Sequence, residues 1–234
     1  MADKVYVTKN KLTAIADAIR TKGGTSAALT LDQMPAAVNA IPSGGGGEDN
    51  LKHRISGDSA YGYTNAQIVQ VLEYSFAYDM ALNHISLPAV TSIRKWGFYY
   101  TPQLAEDVSF PALEYMDNEA FSSSSITGFT APKIISINTG CFNYCSGLRF
   151  IDVGSADRST QIYIGSNAIS NVPAFERLII RNSSVARLAS SNSLNVGSSL
   201  TGIYVPDSLV DSYKAATNWS AYADKIKPLS EYTT

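Results

Sequence analysis

The stretch FNYCSGLRFIDV (residues 142–153) contains the pattern that decides the fold. A phenylalanine is followed three residues later by a cysteine and six residues later by a leucine, and then by a short run in which apolar and polar residues alternate. Alternation with a period of two is typical of a β-strand that buries one face. The stretch therefore predicts a turn that leads into a short strand.

The same pattern recurs upstream at intervals close to 22 residues. The phenylalanines are 22, 23 and 21 residues apart, and an apolar residue about six positions later repeats every 22 residues. A proline after each strand and an apolar residue beyond it recur at the same changing intervals as the phenylalanines. This shared spacing identifies an internal repeat. The four columns are Phe76, Phe98, Phe121 and Phe142; Leu82, Leu104, Ile126 and Leu148; Pro88, Pro111 and Pro132; and Ile93, Met116 and Ile137.

Each repeat unit predicts two short strands, the first of which ends near the proline. A unit of about 22 residues has too little surface to bury its own phenylalanine and leucine, so neighbouring units must stack. We therefore predict a mainly β fold with short helices, built as a repeat solenoid of about six turns. The predicted first strands are ISLP (85–88), VSFP (108–111), FTAP (129–132), LRFIDV (148–153), FERLII (175–180) and LTGIYV (200–205).

The repeat resembles the BspA-like branch of leucine-rich repeats, over about residues 74–206. That branch has the same succession of Phe, Cys, Leu, a strand with proline, and a second strand that ends in Ile. Cys145 falls on the family's small buried cysteine, whereas the other turns depart from it with Asp79, Thr101 and Ser124. The resemblance implies a leucine-rich-repeat fold. It implies no single function, because the branch includes adhesins and many proteins without a known role.

The composition predicts four parts: a helical module (1–42), a glycine-rich linker (43–50), the solenoid (51–206) and a helical cap (207–234). A repeat array needs a cap over its last turn.

Within the cap, Asp207 is expected to cap a helix that follows Pro206. Trp219 is expected to be buried, and Trp219, Tyr222 and Ile226 are expected to form a second helical turn.

The sequence of residues 1–42 predicts an attachment or oligomerisation module. Two short helices in about 40 residues seldom hold a core alone, so their apolar stripes should pack on further copies of the chain or on a partner. Segment 11–41 also resembles a segment near the start of tail-associated proteins in phages and prophages of Gram-positive bacteria. That resemblance implies attachment to a virion. The stripe residues are Leu12, Ile15, Ile19, Met34, Val38 and Ile41.

The sequence predicts no catalytic site, no metal site and no cofactor. The net charge is -2 without a basic cluster, which argues against nucleic acid, and no apolar stretch has the length of a membrane helix. His53 and His84 lack the partners of a catalytic motif, and His84 is expected to be structural. The glycines at 44–47 lack the lysine and serine or threonine of a phosphate loop, so they predict a linker.

Aromatic residues in register with the repeat are candidate ligand contacts. Tyr78, Tyr100 and Tyr144 each lie two residues after the repeat phenylalanine, and Ser123 takes that place in the third unit. Tyrosine offers a rigid aromatic surface with a polar tip, which suits the binding of proteins and of sugars. The alternative is that these tyrosines pack between turns. The full set of candidates is Tyr78, Trp96, Tyr99, Tyr100, Tyr115 and Tyr144, of which Trp96 and Tyr99 are expected to be exposed.

These features predict a non-enzymatic phage or prophage tail protein of the fibre or receptor-binding type. It would be made in the bacterial cytoplasm, join the virion tail, contact other tail or baseplate proteins, form a homo-oligomer through 1–42 and bind a host-surface protein or glycan. The alternative is a bacterial cell-surface adhesin or interaction scaffold of the same repeat family. The absence of a signal peptide in MADKVYVTKN (1–10) favours the tail protein.

Overall fold

The computed structural model describes residues 60–233, which form a solenoid of short parallel strands. The first strand of each turn joins one ladder, and a two-residue second strand joins another. The strands are β1 (Tyr61–Thr64), β2 (Gln70–Val71), β3 (Leu82–Ser86), β4 (Ser92–Ile93), β5 (Asp107–Ser109), β6 (Tyr115–Met116), β7 (Gly128–Ala131), β8 (Ser136–Ile137), β9 (Phe150–Val153), β10 (Tyr163–Ile164), β11 (Ile169–Ser170), β12 (Arg177–Ile180), β13 (Arg187–Leu188), β14 (Leu194–Asn195), β15 (Gly202–Val205) and β16 (Ile226–Pro228).

The strand order confirms the predicted solenoid. The first ladder runs β5-β7-β9-β12-β15-β16 and is preceded by the β1–β3 pair, and the second ladder runs β2-β4-β6-β8-β10-β13. Strands β11 and β14 form a further parallel pair. Six turns carry both strands and β15 opens a seventh. The expected number was about six, because YGYT (61–64) has no repeat phenylalanine before it and no proline after it.

The repeat phenylalanines form a buried stack along the solenoid. Phe76, Phe98 and Phe121 lie with successive ring centroids 4.8 Å apart and interplanar angles of 3° and 9°, and Phe142 follows at 6.0 Å. The first spacing equals that of hydrogen-bonded strands, about 4.8 Å, because each ring is carried by the same backbone position in the next turn. The stack therefore links neighbouring turns through their cores.

A second buried column follows each phenylalanine by three residues and is polar. Thr101, Ser124 and Cys145 are at most 2% exposed, and Asp79 is 4% exposed. Each polar group has a partner, as burial requires: the Asp79 carboxylate accepts from the N–H of Leu82 at 3.0 Å, and the Cys145 thiol donates to the carbonyl of Phe121 at 3.0 Å. Asp79, Thr101 and Ser124, which replace the cysteine in the other turns, thus occupy the same buried position of the repeat.

Cys141 and Cys145 give a prediction about thiol reactivity. Both are free and fully buried, and burial raises the pKa of each thiol to about 12. The thiolate is the reactive form, so we expect iodoacetamide at pH 8 to modify neither thiol in the folded chain and both in guanidinium chloride. Mass spectrometry reads the result. Alkylation of the folded chain at the rate of the denatured one would contradict the burial of these residues.

The same two pKa values set a direction for stability against pH. Above about pH 9 the unfolded chain releases its thiol protons, whereas the folded chain keeps them until about pH 12. The thiols therefore stabilise the fold fully below pH 9, and this contribution is lost as the pH rises towards 12.

The C-terminal segment covers the last turns with aromatic residues, among them Trp219, whose predicted burial is confirmed. It consists of a 3₁₀ turn (Asp207–Leu209), helix α1 (Val210–Ala215), a second 3₁₀ turn (Ser220–Tyr222), β16 and a third 3₁₀ turn (Leu229–Glu231). Trp219 is 1% exposed, donates from Nε1 to the carbonyl of Ala186 at 2.6 Å and meets Tyr213 edge to face at 5.1 Å. The Tyr213 hydroxyl accepts from the N–H of Ala186 at 2.9 Å, and burial raises the pKa of Tyr213 to about 12.

Two expectations about the cap were wrong. Asp207 does not cap a helix: the 3₁₀ turn starts at Asp207 itself, and its carboxylate accepts from the N–H of Ser230 at 3.1 Å, where the chain leaves β16. Ile226 does not continue a helical turn with Trp219 and Tyr222. It lies in β16, where pairing with Ile203 of β15 extends the first ladder.

The predictions for the helical module 1–42, its stripe residues and the linker 43–50 lie outside the described residues, as do residues 51–59 of the predicted solenoid. Within 60–233, no helix is both long and apolar enough to cross a membrane.

Candidate ligand-binding surface

A turn built around each repeat phenylalanine forms a third side of the solenoid, between the second strand of one unit and the first strand of the next. In five successive units the residues two before and two after the central residue, which is the repeat phenylalanine in four units and Ile169 in the fifth, have φ between 50° and 66°. This left-handed conformation is uncommon for residues other than glycine. The positions are Tyr74 and Tyr78, Trp96 and Tyr100, Glu119 and Ser123, Gly140 and Tyr144, and Asn167 and Asn171.

Backbone hydrogen bonds between turns explain why this conformation is kept. The N–H of Phe98 donates to the carbonyl of Ala120 at 2.8 Å, and the N–H of Tyr100 donates to that of Ser122 at 3.0 Å. Such bonds repeat in the units on either side and offset the cost of the left-handed residues, roughly 1 kcal/mol or more each. Because the backbone repeats, side chains at equivalent positions form rows along this side.

Five aromatic residues from the first two of these turns form one group, which we call the aromatic cluster. Tyr74 packs on Trp96 with centroids 4.9 Å apart, and Tyr78 meets Tyr99 at 5.2 Å and Tyr100 at 5.9 Å. Trp96 and Tyr99 join the two halves at 6.3 Å. The cluster is thus a continuous aromatic patch across two turns.

The cluster is accessible to a ligand mainly through its tyrosines. Tyr78 is 62% exposed, Tyr74 47% and Tyr100 43%. Trp96 and Tyr99 are half-buried, so they are more enclosed than the sequence led us to expect. The reason is that their rings pack against Tyr74 and Tyr78 of the preceding turn.

The structure does not bring every candidate residue into the cluster. Tyr144 lies in the same row as Tyr78 and Tyr100, is 60% exposed and is separated from Tyr100 by Ser123. Tyr115, which is 49% exposed, lies on β6 in the second ladder between Ser92 and Ser136. Tyr74 was missed by the sequence reasoning. Its signal was its place two residues before Phe76, which matches that of Trp96 before Phe98.

The charges beside the cluster are of both signs. The ammonium group of Lys95 lies 3.8 Å from the ring centroid of Trp96, a cation–π contact. Desolvation, followed by the negative charges of Glu73 and Glu119, raises the pKa of Tyr74. The cluster is therefore an uncharged aromatic patch with a lysine and carboxylates beside it.

A shallow cleft of about 440 Å³ lies beyond Tyr144 on the same side. Its lining is uncharged and combines two amide side chains with apolar surface, the mixture that orients small ligands in many pockets. The lining residues are Asn171, Val172, Pro173, Asn195, Val196 and Gly197.

The remaining titratable residues do not assemble a reactive centre in the part of the chain that is described. No group of three or more His, Cys, Asp or Glu residues within 60–233 is placed to hold a metal ion. His84 pairs through Nδ1 with Glu106 at 2.8 Å on the surface of the first ladder, which agrees with its expected structural role. Aromatic stacking and hydrogen bonding are the chemistry that this surface offers.

A parallel solenoid with a stacked phenylalanine column and a strand-forming unit of about 22 residues is a leucine-rich-repeat protein. The chain belongs to the family described as BspA type leucine rich repeat region, which matches residues 69–196 in six copies.

The solved structures that are similar to the chain include two leucine-rich-repeat proteins. One is a leucine-rich cell surface protein from Faecalibacterium prausnitzii A2-165, with 17% identity over 70% of this chain and a TM-score of 0.29. The other is a leucine-rich repeat protein from Bacteroides ovatus ATCC 8483, with 15% identity over 63% of this chain and a TM-score of 0.30. The chain spans 58% and 55% of the lengths of these two proteins. No curated protein sequence matches the chain.

Proposed function

We propose that the protein is a non-enzymatic binding protein, an adhesin or interaction scaffold of a bacterial cell surface, and that the aromatic cluster contacts its ligand. The observation that carries the proposal is the cluster itself, five aromatic rings in mutual contact on one side of the solenoid. Solenoids of this kind present extended surfaces for binding other molecules.

The energetics of the cluster support a binding role. Contiguous exposed apolar patches on soluble proteins commonly mark interaction sites, and tyrosine and tryptophan are enriched among the residues that dominate binding free energy. Packing between the rings also restricts their rotamers before a ligand arrives, so less side-chain entropy is lost on binding. Phe76 and Phe98 are buried at the centres of the two turns whose backbones carry the cluster.

The test measures attachment of the fluorescently labelled full-length chain to two surfaces, intact Gram-positive bacterial cells and cultured epithelial cells. We expect saturable binding to one of them. Replacing Tyr78 and Tyr100 together by serine should weaken that binding roughly 30-fold or more, since two aromatic contacts worth about 1 kcal/mol each are lost. Serine is suitable because Ser123 already occupies the equivalent backbone position at φ 61°.

The matched control is Tyr115→Ser, which removes an exposed tyrosine from the second ladder and should leave attachment unchanged. Attachment to neither surface, or equal weakening by the control, would count against the aromatic cluster.

A second candidate function is a phage or prophage tail protein of the receptor-binding type. It is favoured by segment 11–41, which resembles a segment of tail-associated proteins, and it would use the same aromatic cluster on a bacterial host. Cofractionation of the chain with purified virions supports this candidate, whereas a wall-bound cellular fraction supports the adhesin.

Light scattering of the full chain beside a chain that begins at Glu48 tests the role of the first segment. We expect an oligomer that becomes a folded monomer on truncation, because the apolar stripes of 1–42 are then absent. A shorter chain that unfolds would place 1–42 in the core of the solenoid instead.

A further inference from the structure

A row of uncharged side chains runs along the third side of the solenoid, from the aromatic cluster to the cleft. Each member lies two residues after the central residue of its turn and has the same left-handed backbone. Turns that are hydrogen-bonded in parallel are about 4.8 Å apart, so the four steps of the row span roughly 19 Å. We call it the outer row, and its members are Tyr78, Tyr100, Ser123, Tyr144 and Asn171.

The cleft at the end of the outer row offers hydrogen-bond acceptors. Nδ2 of Asn171 donates to Oδ1 of Asn143 at 2.9 Å, and Nδ2 of Asn195 donates to Oγ of Ser170 at 3.4 Å. Asn171 thereby uses both of its N–H groups, since its Nδ2 also donates to Oγ of Ser170 at 3.3 Å, and Asn195 uses one of its two. Oδ1 of Asn171 and Oδ1 of Asn195 accept no hydrogen bond from any residue of 60–233. A ligand that matches the cleft therefore presents hydrogen-bond donors.

The outer row has no cluster of basic residues that would bind an anion. None of its five side chains is charged, and none of the residues that line the cleft is charged. At the other end the charges beside the aromatic cluster are of both signs: Lys95 lies 3.8 Å from the ring centroid of Trp96, and the negative charges of Glu73 and Glu119 act on Tyr74. Nucleic acids and acidic glycans need basic partners for most of their affinity, so this surface fits an uncharged ligand.

We propose that the ligand is an uncharged oligosaccharide, which lies along the outer row and places one sugar ring in the cleft. The proposal rests on the binding function proposed above and names its ligand class. A pyranose ring has apolar C–H faces that pack on tyrosine rings, and its hydroxyl groups donate to the oxygens of Asn171 and Asn195. A proline-rich peptide also packs on tyrosines, but proline has no N–H to donate to those oxygens.

The test uses the full-length chain on an array of uncharged and acidic oligosaccharides, followed by isothermal titration calorimetry with the strongest uncharged ligand. We expect binding to uncharged members of the array. Tyr144→Ser should weaken the binding about five-fold, because one aromatic contact worth about 1 kcal/mol is lost. Asn195→Leu should weaken it by a similar factor, because the cleft loses an acceptor. Tyr115→Ser removes a comparably exposed tyrosine outside the outer row and should leave the affinity unchanged.

Binding confined to acidic members, or to no member of the array, overturns the proposal, as does equal weakening by Tyr115→Ser. Binding to an immobilised proline-rich peptide library in place of the sugars overturns it too.

The failure of this proposal differs from that of the proposed function. A chain that attaches to cells through Tyr78 and Tyr100 but binds no oligosaccharide keeps the binding function and loses the ligand class. A chain that binds an uncharged oligosaccharide but attaches to neither cell surface keeps the ligand class and loses the cell-surface function.

Discussion

Replacing Phe121 by alanine is expected to lower the free energy of unfolding by about 3–5 kcal/mol, the usual cost of truncating a buried phenylalanine. Phe121 is completely buried at the centre of the stack, 4.8 Å from the ring of Phe98 and 6.0 Å from that of Phe142. The rings of Phe110 and Phe129 lie within 6 Å of it as well. Alanine would therefore leave a cavity shared by three successive turns.

Denaturant unfolding followed by circular dichroism measures this loss, and Phe150→Ala is its control. Phe150 lies half-buried on the outer face of the first ladder, where its ring covers Gly128. Its truncation removes the same atoms without opening a core cavity, so we expect a cost of about 1 kcal/mol. Equal losses for the two variants would mean that the phenylalanine stack does not hold the turns together.

Replacing Trp219 by alanine is expected to cost about 3–5 kcal/mol as well, but the damage should be local. The indole fills the cap beside Tyr213, and its loss also removes the hydrogen bond to the carbonyl of Ala186. In a repeat array each turn contacts mainly its neighbours, so the array should open from the uncovered end. Hydrogen exchange should lose protection in β12, β13 and β15 first, while β5 to β8 keep theirs.

Trp96→Ala is the control for the cap variant. It deletes the same side chain from a half-buried position in the aromatic cluster, and we expect a cost of about 1 kcal/mol and no opening of the C-terminal turns. If Trp219→Ala instead loses hydrogen-exchange protection evenly over all turns, the opening is not local. The solenoid would then unfold as one cooperative unit.

The buried half of the fold could be predicted from the sequence because burial imposes the repeat. A residue such as Phe98 must contact the equivalent residue of the next turn, so both must be large and apolar, and the strand that follows must alternate. The prolines marked where those strands end. This reasoning missed β1, because Tyr61 precedes the first phenylalanine of the array.

The third side of the solenoid could not be predicted in the same way. Its left-handed positions hold tyrosine, tryptophan, glutamate, serine, glycine and asparagine, and of these only glycine and asparagine signal a positive φ in a sequence. Register alone placed Tyr78 beside Tyr100. The contact of Tyr78 with Tyr99 required the structure, because it joins different positions of adjacent turns. Tyr115 has similar exposure but lies in the second ladder, away from the outer row.

The left-handed turns connect the core to the surface. The N–H of Phe98 bonds the next turn while its ring joins the buried stack, and Trp96 and Tyr100 on either side carry rings of the aromatic cluster. Each turn thus fixes a core residue and two surface residues with one backbone arrangement. The repeated bonds between turns, such as that from the N–H of Phe98 to the carbonyl of Ala120, join backbone groups and do not depend on which side chains stand at the exposed positions.

The most direct test of a binding role for the aromatic cluster is hydroxyl-radical footprinting of the full-length chain, free and attached to the cells used above. Tyr78, Tyr100 and Tyr115 are all exposed in the described solenoid, so each should be oxidised in the free chain. Attachment should protect Tyr78 and Tyr100 and leave Tyr115 as reactive as before. Protection of Tyr115 with unchanged oxidation of Tyr78 and Tyr100 would contradict the account and place the contact on the second ladder.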